Sequence, residues 1–207
     1  MSTETTAPKS PGRPREFDDD AVLEALIQLF WQQGYEATSM SDIVEATGLS
    51  KSSLYNTFGS KDELFERALN RYVDQRSAML TDAVANGTQG LADVEAFFDL
   101  VWAEVDTMDD HRGCLAVNTS TELGQRDAGV VDVSGRYRTI MRSAFRAALQ
   151  RAAHGGEIDP AQVDSYTNVL LSFVMGTAVI VRSGASNDEL FGQIAAARSM
   201  IDGWRLR

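Results

Sequence analysis

The sequence predicts an all-α protein, and three observations predict it. Apolar residues recur at three- and four-residue spacing in the long segments from Val22 to Trp204. No run alternates apolar and polar residues between turn signals, as a half-buried strand would. The interruptions are those that start and stop helices, with Ser or Asp before an apolar stripe and Gly after it.

Composition sets the bounds. The 207 residues allow one or two domains with a sizeable core, and 43% hydrophobic with 24% charged residues is the balance of an ordinary soluble globular protein. No apolar segment follows a basic one at the N-terminus, so no signal peptide is expected. The longest apolar run, Val169 to Val181, contains Ser172, Gly176 and Thr177 and falls short of the roughly 20 residues a bilayer span needs. It reads as a buried helix, and no membrane partner is expected. Cys114, the single cysteine, excludes an intramolecular disulfide and fits a cytoplasmic location.

In chain order, residues 1–17 form a basic tail with almost no apolar side chain up to Pro14, expected to be flexible off its partner. Asp18, Asp19 or Asp20 caps a first helix bearing Val22, Leu26, Leu29 and Phe30, which Gly34 ends. Tyr35 reads as a core aromatic. Ser39 caps a short helix with Met40, Ile43 and Val44 on one face, stopped by Gly48. Ser50 caps another, with Leu54 and Phe58 on its inner face. Ser60 and Glu63 make a capping box for a fourth helix that carries Leu64, Phe65, Ala68, Leu69 and Tyr72 well past Val73. Asn86-Gly87-Thr88-Gln89-Gly90 breaks that pattern and marks a loop between domains.

Beyond the loop, Leu91, Val94, Phe98, Val101, Trp102 and Val105 share one helical face, and Val133, Tyr137, Ile140, Met141, Ala144, Phe145 and Ala148 share another. His154-Gly155-Gly156 ends that helix and Asp159-Pro160 starts the next. A last helix after Ser186 carries Leu190, Phe191, Ile194, Ala197, Ile201 and Trp204.

Two short helices joined by a glycine-containing turn make a helix-turn-helix, whose second helix enters a major groove. That second helix exposes Lys51, Ser52, Ser53, Tyr55, Asn56 and Thr57, and no carboxylate occurs from Leu49 to Lys61 although the chain carries a net charge of −11. Hydroxyl and lysine donors suit phosphate oxygens, an asparagine can pair with adenine, and a tyrosine ring can lie on the sugar-phosphate wall. Thr38 and Ser39 at a helix N-terminus are further phosphate donors. Lys9, Arg13 and Arg15 make the tail locally basic, and Lys51 and Lys61 flank the second helix. Such a scatter also fits solvated charge, and the tail also fits a solubilising segment.

The runs Thr38–Ile43, Gly48–Tyr55 and Phe58–Leu64 resemble the DNA-binding segment of the tetracycline-repressor (TetR) family of bacterial transcription regulators, over about the N-terminal third of the chain. Ser52 stands where many members carry glycine or another small residue, at a position that faces DNA in the family. The resemblance implies a three-helix DNA-binding domain over residues 18–75, then a larger helical ligand-binding and dimerisation domain over residues 76–207. It also implies an operator in double-stranded DNA and a fourth helix through which a ligand signal passes. Pro11-Gly12-Arg13-Pro14-Arg15 resembles the arginine arms that enter an adjacent minor groove.

A helix apolar nearly all round needs cover on every side, so a two-fold homodimer is expected on the last two helices, through Phe173, Gly176, Val181, Leu190, Phe191 and Ile194. The chemical inventory is thin. His111 and His154 have no metal-ligand spacing with Cys114, and no phosphate loop or nucleophile elbow appears, so no enzyme, metal or cofactor is expected. Phe98, Trp102, Cys114, Asn118, Tyr137, Met141 and Tyr166, with Phe97, Met108 and Phe145, can line a small-molecule pocket, and each alone also reads as core. Two functions stay open: a repressor released from a palindromic operator by a small molecule or a reactive electrophile, and a constitutive DNA-binding or protein-interaction module whose C-terminal part only dimerises.

The segment Arg112-Gly113-Cys114-Leu115 through Glu122 places Cys114, Asn118 and Glu122 at four-residue steps on one helical face. It resembles the Gly-Cys-Leu, Asn, Glu segment of one branch of the TetR-type regulators, in which some members sense electrophiles or oxidants through that cysteine. The plainer alternative is a small buried cysteine capping the core, with Asn118 and Glu122 tying helix ends together.

Overall fold

The computed structural model describes residues 18–107 and 112–206, and among them no strand occurs. Helix α1 (Asp19–Gln33) begins where the Asp18 carboxylate accepts from the Asp20 N–H at 2.9 Å. It ends at Gly34, whose φ of +86° favours glycine. Helices α2 (Met40–Thr47) and α3 (Lys51–Phe58) open on Ser39 and Ser50 as expected. Ser39 and Asp42 also form a reciprocal capping box, which the sequence reading omitted.

Helix α4 (Lys61–Asn86) runs unbroken through residue 75, so a domain boundary there falls inside a helix. Its Ser60–Glu63 capping box is present. Helices α5 (Leu91–Thr107), α6 (Leu115–Glu122), α7 (Ala128–His154), α8 (Val163–Arg182) and α9 (Asn187–Asp202) complete the chain. Asp159 and Pro160 open a short 3-10 turn before α8 rather than α8 itself, and Ser186 caps α9.

Helix α4 lies against α1 at one end and packs along α7, which in turn packs on α8. One continuous apolar core follows it from Leu26, Phe30, Ile43 and Leu54 to Phe97, Phe145, Leu170 and Ile201. Edge-on ring pairs mark both ends, Phe30 on Phe65 at 4.9 Å and Phe97 on Phe145 at 4.9 Å. The short N-terminal helices thus share a packed interior with the C-terminal helices.

The expectation that α8 is buried needs correction. It is long and apolar enough to cross a membrane by composition, yet only 28% of its most apolar window is buried. One side rests on α7 and α6, and the other exposes Val169 and Val179. Three expected interface residues belong elsewhere, because Val181, Leu190 and Ile194 all point into the chain's own interior. The outward apolar surface consists instead of Val169 and Val179 on α8 and Phe191 on α9. Gly176 sits on α8 with open space where a Cβ would be.

Candidate functional site

Burial of Leu54 and Phe58 fixes how α3 faces solvent. With those two in the core, Lys51, Ser52, Tyr55 and Asn56 are exposed and Ser53 is half-buried. The Ser50 hydroxyl lies 2.9 Å from both the Ser52 and Ser53 hydroxyls and accepts from the Ser53 N–H at 3.1 Å. Small donors therefore cluster at the positive end of the helix dipole, where a phosphate is favoured. The Lys51 ammonium stands 6.0 Å from the Tyr55 ring centroid.

Lys61 lies 4.2 Å above the Tyr35 ring, and the Tyr35 hydroxyl donates to Asp62. Burial and then the Asp62 carboxylate push the Tyr35 phenol up to about 12. Ser39 is exposed and its oxygen accepts from the Asp42 N–H at 3.2 Å, which leaves its hydroxyl proton for a phosphate oxygen. The Ser39 backbone N–H in turn holds the Asp42 carboxyl below the usual range. Thr38 is a correction: it is buried, and its hydroxyl is spent on the Gly34 carbonyl at 2.6 Å, so it presents no donor to DNA. Arg13 and Arg15 lie outside the described residues, as do Met108 and His111.

A second feature is a partly open cavity of about 50 Å³ among α4, α5, α6, α7, α8 and α9. Three expected residues line it, namely Phe98, Cys114 and Tyr137. Phe173 and Ile194, expected at a dimer interface, are on its wall too. The other expected pocket residues lie elsewhere. Trp102 packs on Phe191 at 5.4 Å, Tyr166 stacks on Trp204 at 4.0 Å, Met141 is buried in the core, and Asn118 donates to the Arg112 carbonyl at 2.7 Å. Cys114 is buried at the N-terminus of α6. The Tyr72 hydroxyl beside it accepts from the Leu115 N–H at 3.2 Å. Burial holds the Tyr72 phenol well above its ordinary range.

The same segment touches the N-terminal helices. Trp31 on α1 donates its indole N–H to the Gly113 carbonyl at 3.2 Å, with the Arg112 guanidinium 5.2 Å from its ring centroid. Arg112 also donates to Gln28 at 2.7 Å. At the far end of α6, the Glu122 carboxylate accepts from the Tyr35 N–H at 3.1 Å and the Glu36 N–H at 2.7 Å, closing the chain end of α1. A Cβ on Gly113 would fall 2.6 Å from the Ala178 carbonyl, so this lead-in presses on α8. Sequence reasoning missed Trp31, Arg76 and Thr177 as neighbours of this region, since their roles depend on helices far apart in the chain. Glu122 was visible through its spacing from Asn118, but its partners on α1 were not.

Among the described residues no three of His, Cys, Asp and Glu gather into a metal-binding group. The family model described as bacterial regulatory proteins, tetR family, matches residues 22–68. The HTH-type transcriptional repressor ComR of Escherichia coli (strain K12) is 36% identical over 203 residues, 94% of each chain. The HTH-type transcriptional repressor BdcR of the same organism is 25% identical, covering 92% of each chain. A cysteine-mutant form of the TetR family regulator CifR, complexed with a 26-base-pair operator DNA, aligns at a TM-score of 0.79 and 26% identity over 93% of this chain and 100% of that one. Reduced E. coli NemR, 17% identical at a TM-score of 0.76, shares the fold. With a capped helix-turn-helix packed on a larger helical body, this chain belongs to the TetR family of bacterial transcription regulators, which bind DNA and are not enzymes.

Proposed function

We propose that the protein is a cytoplasmic repressor that binds a palindromic operator as a homodimer and is released when a small molecule occupies the cavity beside Phe98, Cys114 and Tyr137. The observation that carries this reading is that Gly113 lines the cavity and its carbonyl also holds Trp31 of α1. A molecule that fits better when α6 and α8 move apart displaces Gly113, and Trp31 transmits the movement to the helix-turn-helix. Occupancy then shifts the population toward a form whose two recognition helices no longer match the groove spacing. The name of ComR, a repressor, supports the sign of the effect.

In this reading residues 18–75, with the basic tail of residues 1–17, carry the DNA contacts, and residues 76–207 the effector and dimer functions. Lys51, Ser52, Tyr55, Lys61 and Ser39 meet phosphates, Ser53 and Asn56 meet base edges, and Arg13 and Arg15 reach the minor groove. The homodimer forms on the outward side of α8 and α9, where the exposed Val169, Val179 and Phe191 are otherwise left in water.

Selection from random DNA is expected to return two-fold sites with half-sites about 34–36 Å apart or somewhat more. Trp31→Phe, which keeps the ring and removes the N–H, is expected to keep operator binding while blunting release by an effector found in a thermal-shift screen. Asymmetric sites alone, or undiminished release in the variant, would refute the reading. A covalent route is favoured by one observation, the Cys114 thiol on the cavity wall. Electrophile-driven release that persists in Cys114→Ser eliminates that route and leaves the non-covalent one.

A further inference from the structure

Thr177 marks the chemistry of the cavity. Five helical hydroxyls, those of Thr47, Thr81, Thr139, Thr167 and Ser120, satisfy themselves by donating to the carbonyl four residues back, at 2.7 to 2.9 Å, while Ser77, buried on α4 away from the cavity wall, is left without a partner. Thr177 makes no such bond either. It is 6% exposed, it lines the cavity, and its hydroxyl oxygen is buried with no hydrogen-bond partner. A buried hydroxyl left without a partner costs free energy that an apolar residue of the same shape avoids. The position is therefore suited to a donor that meets something absent from the protein alone.

The rest of the wall restricts what that something is. The cavity is lined by apolar and aromatic side chains with Arg76 at one side, and among the described residues no Asp or Glu lines it. Among these described residues a cation finds no counter-charge, whereas an oxygen acceptor finds both a hydroxyl donor and a nearby positive charge. Size sets the other limit. The cavity of about 50 Å³ is well below the roughly 300–1,000 Å³ of sites for drug-sized ligands. At about 10–15 Å³ of such space for one water, it holds about three to five heavy atoms as it stands, and a ligand of five or six needs only a slight parting of the helices.

We propose that the effector is a compact molecule with a short apolar body and a single carbonyl or carboxylate oxygen, which accepts the Thr177 hydroxyl proton on the side of Arg76. This rests on the ligand-responsive reading above. The apolar body lies against Phe98, Val117 and Phe173, and the acceptor supplies the hydrogen bond that Thr177 lacks. A neutral carbonyl and a carboxylate share this chemistry, and the two are separated by experiment.

The test uses ligand-observed NMR on the full-length protein with three four-carbon probes: butan-2-one, butanoate and butylammonium. Butan-2-one, butanoate or both are expected to bind and butylammonium is not. Thr177→Val, which keeps the shape and removes the hydroxyl, is expected to weaken that binding about tenfold, the worth of one hydrogen bond in a dry site. Thr177→Ser, which restores the hydroxyl, is expected to stay within about threefold of the natural chain. Thermal unfolding of both variants establishes that they fold. Binding by butanoate alone assigns the dominant role to Arg76, and binding by butan-2-one alone assigns it to Thr177. Equal binding by Thr177→Val, or binding of butylammonium as tight as that of the acceptors, overturns the proposal. If larger apolar compounds release the operator while none of the small acceptors binds, the ligand class falls and the ligand-responsive reading stands. If the acceptors bind through Thr177 yet never release the operator, the class stands and that reading falls.

Discussion

Helices α3 and α8 both leave a face uncovered, and the two faces are chemically opposite. The free face of α3 is lysine, serine, tyrosine and asparagine, stable in water and ready to exchange water for phosphate. The free face of α8 is Val169 and Val179 beside Gly176, which gains nothing from water. A polar free face works as an intermittent docking surface because leaving its partner costs little. An apolar free face of this kind suits a lasting contact between copies. One chain therefore carries two free faces suited to opposite kinds of contact.

The contrast is broken most severely by placing a charge on the apolar face. Val179→Glu is expected to abolish the dimer, since a carboxylate without a partner in a buried interface costs about 3–5 kcal/mol. The exposed position leaves each subunit folded, so sedimentation should report a helical monomer with no measurable operator binding. A Val179→Glu protein that sediments as a dimer would move the interface elsewhere. The next effect tests the link between the two regions. Glu122→Ala leaves the Tyr35 and Glu36 N–H groups without their acceptor, and is expected to lower stability by about 1.5–3 kcal/mol in urea unfolding. A loss below about 0.5 kcal/mol would mean that water replaces the carboxylate at no cost and that α6 is not fastened to α1 there.

Changes on α3 are smaller and differ in kind. Asn56→Ala is expected to cost about 1–3 kcal/mol on the preferred operator and much less on a scrambled one. Lys51→Ala should weaken both sequences alike and reduce the salt dependence of binding by about one unit of slope. If Asn56→Ala weakens all sequences equally, its amide meets phosphate rather than a base edge.

How far the sequence revealed all this follows the range of the interactions. The caps at Asp18, Ser39, Ser50, Ser60 and Ser186 are local, written within three residues, and the helices they start were legible. The α3 surface was legible for the same reason, since Leu54 and Phe58 fix its inner face. Thr38 was misjudged because a hydroxyl at a helix start looks the same whether it faces water or folds back on the Gly34 carbonyl. The cavity was half legible. Phe98 and Tyr137 were recognised as apolar lining, but aromatic residues such as Trp102 and Tyr166 carry the same local signal and stack on other rings. Which of them meets a void is decided by how α5, α7 and α8 cross, and no spacing within one helix encodes that. Which residues of α8 face outward was misread at Val181 for a related reason, because an apolar helix reads alike whether its own chain or a second copy covers it.

The smallest effect lies at the junction of α1 and α4, where the Tyr35 hydroxyl meets Asp62 under the Lys61 ammonium. The Tyr35 phenol titrates at about 12 in the folded chain, against about 10 when unfolded. Below pH 10 both states keep the proton and the contact contributes in full. Between about 10 and 12 the unfolded chain releases the proton while the folded chain retains it, so the folded state binds more protons and stability falls as pH rises. Tyr72, pushed up by burial in the core, acts in the same direction. Tyr35→Phe removes only the first contribution, so the variant should lose less stability than the natural chain between pH 9 and 11.5 in urea unfolding. At pH 7 the lost hydroxyl bond should lower stability by about 0.5–1.5 kcal/mol. Equal alkaline slopes in the two proteins would mean that Asp62 does not hold the Tyr35 proton, and would leave the Lys61 cation over the ring as the contact that matters at this junction.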